Sequence, residues 1–159
     1  MPELINHTTV LFVRDIEISK QFYCSIPGLA IDLDFGKNVI FRNGFTIWEI
    51  RHDNIIPATL GKERVSGTSN RFELYFETED IEAYFSLLHD KGVRFLHEIH
   101  EEPWGQRTFR FFDPDSHLIE IGESIKRFIT RFHEKGMNPD EISKRTSVPV
   151  FEVKRLLGI

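Results

Sequence analysis

The segment Phe72–Glu77 alternates in residue type, with Phe72, Leu74 and Phe76 set against Glu73, Tyr75 and Glu77. On a β-strand two such sets point to opposite faces. The apolar set is expected to pack on a helix. Two carboxylates and a phenol then share the other face, and Arg71 has the same parity as Glu73. Carboxylates gathered on one face can hold a hard cation or move a proton. They repel one another unless a metal, a proton or an arginine neutralises them. Other reactive types offer less. Cys24 is the only cysteine, which excludes an intramolecular disulfide and a cysteine-based zinc cluster, and a buried structural thiol is the expectation for it. The seven histidines show no ligand spacing, and His97 and His100, at a strand end, are expected in solvent.

That face needs elements to position it. The chain has 159 residues, 40% apolar and 28% charged, enough for one domain with a small extension. A net charge of −5 argues against nonspecific nucleic-acid binding by the whole chain. No window approaches the ~18 uninterrupted apolar residues of a membrane span. Met1-Pro2-Glu3-Leu4 lacks the shape of a signal peptide. A cytoplasmic protein without a membrane partner is therefore expected. The charge is unevenly spread, +3 over residues 122–159 and −8 over residues 1–121, which marks a boundary near Gly122.

Residues 8–14 are β-branched and aromatic and read as a strand. Asp15-Ile16-Glu17 then opens a helix with Asp15 as N-cap, running to about Cys24. Three strand-like runs follow, Leu29–Phe35, Asn38–Arg42 and Phe45–Arg51. The same order returns 65 residues later. Phe72–Thr78 is a strand, Asp80-Ile81-Glu82 opens a helix that ends at Lys91-Gly92, and Val93–Ile99, Gln106–Phe112 and His117–Ile121 are strands. The linker His52–Asn70, with Pro57, Gly61 and Gly67, reads as a surface loop. The fold class is α+β: paired βαβββ modules, about 5–51 and 70–122, forming a curled mixed sheet around a cavity. A C-terminal helical extension, 123–159, follows domain 1–122.

Val10-Leu11-Phe12-Val13-Arg14-Asp15-Ile16-Glu17 with Ile18-Ser19-Lys20-Gln21-Phe22-Tyr23 resembles the opening signature of the vicinal oxygen chelate superfamily. That group includes glyoxalase I, bleomycin- and fosfomycin-resistance proteins and extradiol dioxygenases. Phe111-Phe112-Asp113-Pro114-Asp115-Ser116-His117-Leu118-Ile119-Glu120 resembles its closing signature, with Ser116 where the family usually has Gly. The resemblance implies metal ligands at Glu49, Glu73 and Glu120, with Thr8 in the fourth position. By strand parity His7 points away from the cavity. Three carboxylates without a histidine suit Mn²⁺ or Mg²⁺ ahead of Zn²⁺ or Ni²⁺, and no organic cofactor is implied. An Arg–Glu network built on Arg71 is the alternative to a metal. Glu120 and Glu73 are the implied catalytic carboxylates. Tyr75 and Arg71 are the implied substrate contacts, joined by Trp104 and Arg107 of the loop beside the cavity. Trp104 as a cap on the sheet edge and Arg107 in solvent is an equal reading. The function implied is that of a glyoxalase-like lyase or isomerase acting on a small oxygen-bearing molecule. The alternative is a metal-free sequestration protein of the bleomycin-resistance type. The family also implies a homodimer.

In the tail, Ile125, Phe128, Ile129 and Phe132 form one apolar helical stripe over 123–135. Asn138-Pro139-Asp140-Glu141 opens a second helix to about Arg145, and a third carries Val150, Val153, Leu156 and Leu157. The last two resemble a helix-turn-helix pair. Lys144, Arg145, Lys154 and Arg155 could touch phosphates, but Asp140, Glu141 and Glu152 share the helices, so a packing module is expected and nucleic acid is not.

Overall fold

The computed structural model describes Leu4, residues 7–67 and residues 71–159. The first strand, β1 (Thr9–Phe12), leads into helix α1 (Ile16–Cys24) and strands β2 (Ile31–Asp34), β3 (Asn38–Phe41) and β4 (Phe45–Trp48). After two short helices, α2 (Ile55–Leu60) and α3 (Lys62–Ser66), the pattern repeats. It runs as β5 (Leu74–Thr78), α4 (Ile81–Asp90), β6 (Arg94–Glu101), β7 (Arg107–Phe112) and β8 (Leu118–Glu123). Three helices close the chain, α5 (Ile125–Glu134), α6 (Pro139–Thr146) and α7 (Val150–Leu157). The strand orders are β1-β4-β3-β2 and β5-β8-β7-β6, each with one parallel and two antiparallel pairs. The α+β fold and the βαβββ repeat are both present. Among the described residues no helix is long and apolar enough to cross a membrane.

The repeated Asp-Ile-Glu has a local cause. Asp15 accepts hydrogen bonds from the backbone N–H groups of Glu17 and Ile18, and Asp80 accepts one from Ala83. Each cap contributes about 1 kcal/mol. The isoleucine after it, Ile16 or Ile81, is 1% exposed and plugs its helix onto its sheet. The acidic residue next in line, Glu17 or Glu82, lies in the first turn, where negative charge suits the helix dipole. Strand parity holds for Leu11, Val13 and Leu74, which are buried, and for Val10, Tyr75 and Glu77, which are exposed, whereas Phe72, ahead of β5, and Thr9, at the start of β1, are exposed instead of packing on a helix.

Contacts gather the chain into two units, Met1–Phe72 with Asp113–His117, and Glu73–Phe112 with Leu118–Ile159. In the first, the Asp113–His117 turn docks beside α1: Tyr23 donates to Asp113 at 2.7 Å and Arg14 to Asp115 at 2.6 Å. Ser116 has φ 68°, which explains why a glycine suits that place.

Two expectations need correction. The linker is helical rather than a plain loop. Asn54 caps α2 by accepting from the Ile56 N–H, and Pro57 lies in the first turn, where its missing N–H costs nothing. The end of the linker, 68–70, and residues 5–6 at the start of the first module lie outside the described residues. Cys24, expected buried, is exposed, because the buried face of α1 is Ile16, Ser19 and Tyr23.

The tail joins the second unit. Phe128, Ile129, Phe132, Ile142 and Val153 form one buried cluster, with Met137, Val148, Leu156 and Leu157 packed on it. Ile125, at the head of the expected stripe, stays 44% exposed. Phe128→Ala is expected to cost about 3–5 kcal/mol, and Ile125→Ala less than about 0.5 kcal/mol, read from urea unfolding curves of the full chain.

Candidate functional site

The hairpin β7–β8 is registered by its turn, so that Phe112 faces Leu118 and, two residues out on each strand, Arg110 faces Glu120. Parallel pairing places Tyr75 against Glu120, and β6 places His97 against Arg110. Phe109 and Phe111 of β7 are fully buried, so Arg110 projects from the opposite face of the sheet. There its guanidinium meets three carboxylates. Nε donates to Glu73 at 2.9 Å, Nη1 donates to Glu102 at 2.9 Å, and Nη2 donates to Glu120. Nη1 also donates to Nε2 of His97 at 3.3 Å, and the His97 Nδ1–H donates to the Glu98 carbonyl. Thr108 donates to Glu102 at 3.1 Å.

One arginine cannot neutralise three carboxylates, and the cluster resolves the excess with a proton. Burial, and then a hydrogen bond with Glu73, push the Glu120 carboxyl from 4.5 up to about 7, against the pull of Arg110. Burial opposes the shift at Glu73, yet hydrogen bonds from Arg110 and Glu120 and the Arg110 charge hold it below its ordinary value. Burial likewise opposes the shift at Glu102, where bonds from Arg110 and Thr108 prevail and lower it. The carboxylates in turn hold the Arg110 pKa above its usual range despite burial. The result is a carboxylic acid beside a carboxylate, poised near neutral pH.

A polar chain continues from this cluster. Gln106 donates to the Tyr75 hydroxyl at 2.7 Å and to the Glu123 carbonyl at 2.7 Å, and Trp104 donates to Gln106 at 3.1 Å. The Tyr75 hydroxyl donates to Glu77 at 3.0 Å, and burial pushes its pKa up to about 12. Gly122 allows this meeting, because a Cβ there would lie 2.8 Å from Gln106 Nε2 and 3.2 Å from the Tyr75 ring.

The tail fixes the same loop. Arg131 donates to the Gly105 carbonyl at 2.5 Å, to Glu123 at 3.0 Å and to Glu101 at 3.2 Å. Arg145 donates to the Pro103 carbonyl. Gly105, at φ 96°, lies against the Phe132 ring, which a Cβ would strike at 2.4 Å.

The structure therefore brings Glu73, Glu120 and Tyr75 onto one face, with Trp104 linked to Tyr75 through Gln106. Arg107 belongs to the other face. It has the parity of Phe109 and Phe111, and it donates to Glu82 of α4 and to the buried Glu123. Glu49 and Arg71 belong to the first unit. Glu49 accepts from Lys37 Nζ at 2.6 Å and from the Ile16 N–H at 2.8 Å, and these two bonds hold its pKa low. It thus caps α1. Thr8 donates to the Gly44 carbonyl at 3.1 Å and lies 3.2 Å from the Thr46 hydroxyl. Arg71 is exposed, and the arginine that pairs with Glu73 is Arg110. His97, expected in solvent, is an acceptor for that arginine. Sequence reasoning missed Arg110, although counting outward from the Asp113–Ser116 turn would have placed it opposite Glu120.

Among the described residues no group of three or more His, Cys, Asp or Glu side chains is placed to hold a metal ion. As arranged, Glu73 and Glu120 fit an arginine better than a divalent cation, since a guanidinium N–H already occupies one oxygen of each.

The model of one family, described as a glyoxalase-like domain, matches residues 6–126. The uncharacterised protein YraH of Bacillus subtilis (strain 168) is 32% identical over 120 residues, covering 70% of this chain and 91% of that protein. Among solved structures, a protein of unknown function from Agrobacterium tumefaciens str. C58 matches with TM-score 0.65 at 39% identity, covering 79% of this chain and 98% of that one. Lactoylglutathione lyase from Agrobacterium tumefaciens matches with TM-score 0.54 at 20% identity, over 78% of this chain and 96% of that one, a likeness of fold.

Two outcomes are expected. The folded-state pKa of Glu120 lies above its unfolded value, so the stability it contributes is fully present below pH 4.5 and is lost as pH rises through about 7. Glu120→Gln should remove this loss, leaving the variant about 1–3 kcal/mol more stable than the native chain at pH 8 and close to it at pH 4. Urea titrations at the two pH values read this directly. Arg131→Met strips one partner from Glu123, whose side chain is fully buried. The expected loss is about 2–3 kcal/mol in the same assay.

Proposed function

The chain belongs to the glyoxalase-like family of the vicinal oxygen chelate superfamily, and on that premise we propose that it binds a small oxygen-bearing molecule without a metal, using Arg110 as its fixed positive charge. The observation that carries this reading is the guanidinium of Arg110 among Glu73, Glu102 and Glu120. A cation at these carboxylates would serve to attract and polarise ligand oxygens. Arginine supplies charge and directed N–H donors there, with a planar geometry that suits paired oxygens. Nη2 makes one hydrogen bond among the described residues, which leaves an N–H for a ligand. Tyr75, 45% exposed and held by Gln106, and Trp104, 42% exposed, offer a phenol and an indole to the same molecule. The reading is the metal-free alternative that the family contains, in a homodimer.

One observation favours a second reading, proton transfer on the bound molecule. Glu120, protonated near neutral pH beside the ionised Glu73, has the protonation state of a general acid with a partner base. In that case Glu120→Gln abolishes turnover and leaves binding intact.

The test is direct. Dialysed against Mn²⁺ and analysed for bound metal, the native chain is expected to retain far less than one equivalent. Arg110→Ala, which frees the oxygens of Glu73, Glu102 and Glu120, is expected to gain Mn²⁺ affinity. Stoichiometric Mn²⁺ on the native chain would overturn the metal-free reading. In a thermal-shift panel of vicinal diols, hydroxy ketones and hydroxamates, compounds that stabilise the native chain should lose their effect on Arg110→Met. A panel that treats both proteins alike would overturn binding at Arg110.

A further inference from the structure

A second candidate site lies within the first unit. A cavity of about 900 Å³ is lined there by β1, by the segment after β4, by α3 and by the Asp113–His117 turn. Its volume is that of a pocket for a drug-sized molecule. Val10, Phe12, Val65 and Phe72 give it an apolar wall, and Val10 and Phe72 are 40% and 39% exposed. Apolar side chains left to water within a concavity mark a place that a ligand's apolar body can cover.

The polar groups on the wall divide into those already paired and those free to pair. Arg14 is bound to Asp115 at 2.6 Å, Arg51 to Asp53 at 2.6 Å, and Glu49 to Lys37 at 2.6 Å. Three groups remain. His52 is exposed and, like Arg64 of α3, has no ion-pair partner among the described residues. His117 is the third. Its Nδ1–H donates to Asp113 Oδ2 at 2.7 Å. The same oxygen accepts from the Tyr23 hydroxyl, and Oδ1 accepts from the N–H groups of Asp115 and His117. With both oxygens doubly bonded and the side chain fully buried, Asp113 cannot turn away. It fixes the imidazole tautomer and orientation, as a buried carboxylate does in any Asp–His pair. The His117 Nε2 makes no hydrogen bond among the described residues, and no side-chain polar atom among them is both buried and unpaired. Nε2 is therefore reachable from outside, on a residue that lines the cavity.

We propose that this cavity binds a flat apolar molecule bearing one carboxylate. The apolar wall of Val10, Phe12, Val65 and Phe72 takes the body, and Arg64 takes the carboxylate. The charge balance selects the ligand. The acids on the wall are each neutralised by a neighbour, so a carboxylate meets an arginine with no ion-pair partner among the described residues. A ligand cation would find no unpaired carboxylate on this wall. This site uses no residue of the Arg110 cluster, so it stands or falls independently of the binding proposed there.

The experiment is calorimetric titration of the full chain with 2-naphthoate, and with 2-naphthamide, which has the same body without the charge. Naphthoate is expected to bind at least about tenfold more tightly, about 1.4 kcal/mol. Arg64→Ala, a surface change that leaves the fold intact, should weaken naphthoate about tenfold and leave naphthamide unaltered. Arg64→Lys should recover part of the loss. Val10→Trp, which fills the cavity from an exposed position, should abolish binding of both. The Trp48 indole resonance should shift on binding, because its ring centroid lies 5.9 Å from that of Phe12. Equal affinity for acid and amide, unchanged affinity in Val10→Trp, or no binding to the folded native chain would each overturn the proposal.

Discussion

Three glutamates crowd one face of the second sheet, and the sheet can carry them there because Arg110 stands among them. A carboxylate taken out of water without a partner would cost several kcal/mol or take up a proton. Here both remedies operate. Arg110 answers Glu73 and Glu102, while Glu120, the most buried of the three, stays protonated toward neutral pH. The strand register imposes this outcome. Arg110 and Glu120 face each other because the Asp113–Ser116 turn sets the hairpin, and Glu73 reaches them from the strand paired parallel to β8. The same register therefore builds the hairpin and fixes the chemistry of the face.

The helical tail takes part in that arrangement from a distance. Arg131 ties Glu123, at the end of β8, to the Gly105 carbonyl, and Phe132 covers Gly105 so closely that no side chain fits there. Arg145 holds the Pro103 carbonyl. The loop that presents Trp104 and Gln106 is thus fixed at Pro103 and Gly105 by α5 and α6, and Gln106 transmits that fixity to Tyr75. Arg145, one of the basic residues available to a nucleic-acid reading, spends its charge on this packing and on Glu101. In this arrangement the tail acts as a brace for the site.

Within the first unit Glu49 and Asp113 show how a carboxylate's partners decide its role. Glu49 closes the N-terminus of α1 and binds Lys37, so its charge is consumed in holding a helix. Asp113 is consumed four times over, yet one of its partners is a histidine whose far nitrogen remains open. The first is a structural cap, while the second turns a buried charge into an oriented imidazole at a cavity wall.

The sequence by itself determined the element order, the two Asp-Ile-Glu helix starts, the strand parities and the three tail helices, because each rests on short-range chemistry. A capping carboxylate two or three residues from its N–H, a two-residue pleat and a 3.6-residue helical stripe are all readable along the chain. Strand parity also placed Glu73 and Tyr75 on a common face, and the family resemblance added Glu120 to it. What the tertiary structure decided was the partners. That Glu73 meets Arg110 rather than Arg71, that Arg107 turns toward Glu82 and Glu123, and that Glu49 caps a helix 33 residues away are facts of strand register and docking. The linker's helices and the exposure of Cys24 belong with them. Such pairings depend on which strands lie side by side and on how a helix is turned onto its sheet. Those are long-range choices, and the residue types along a single strand do not encode them.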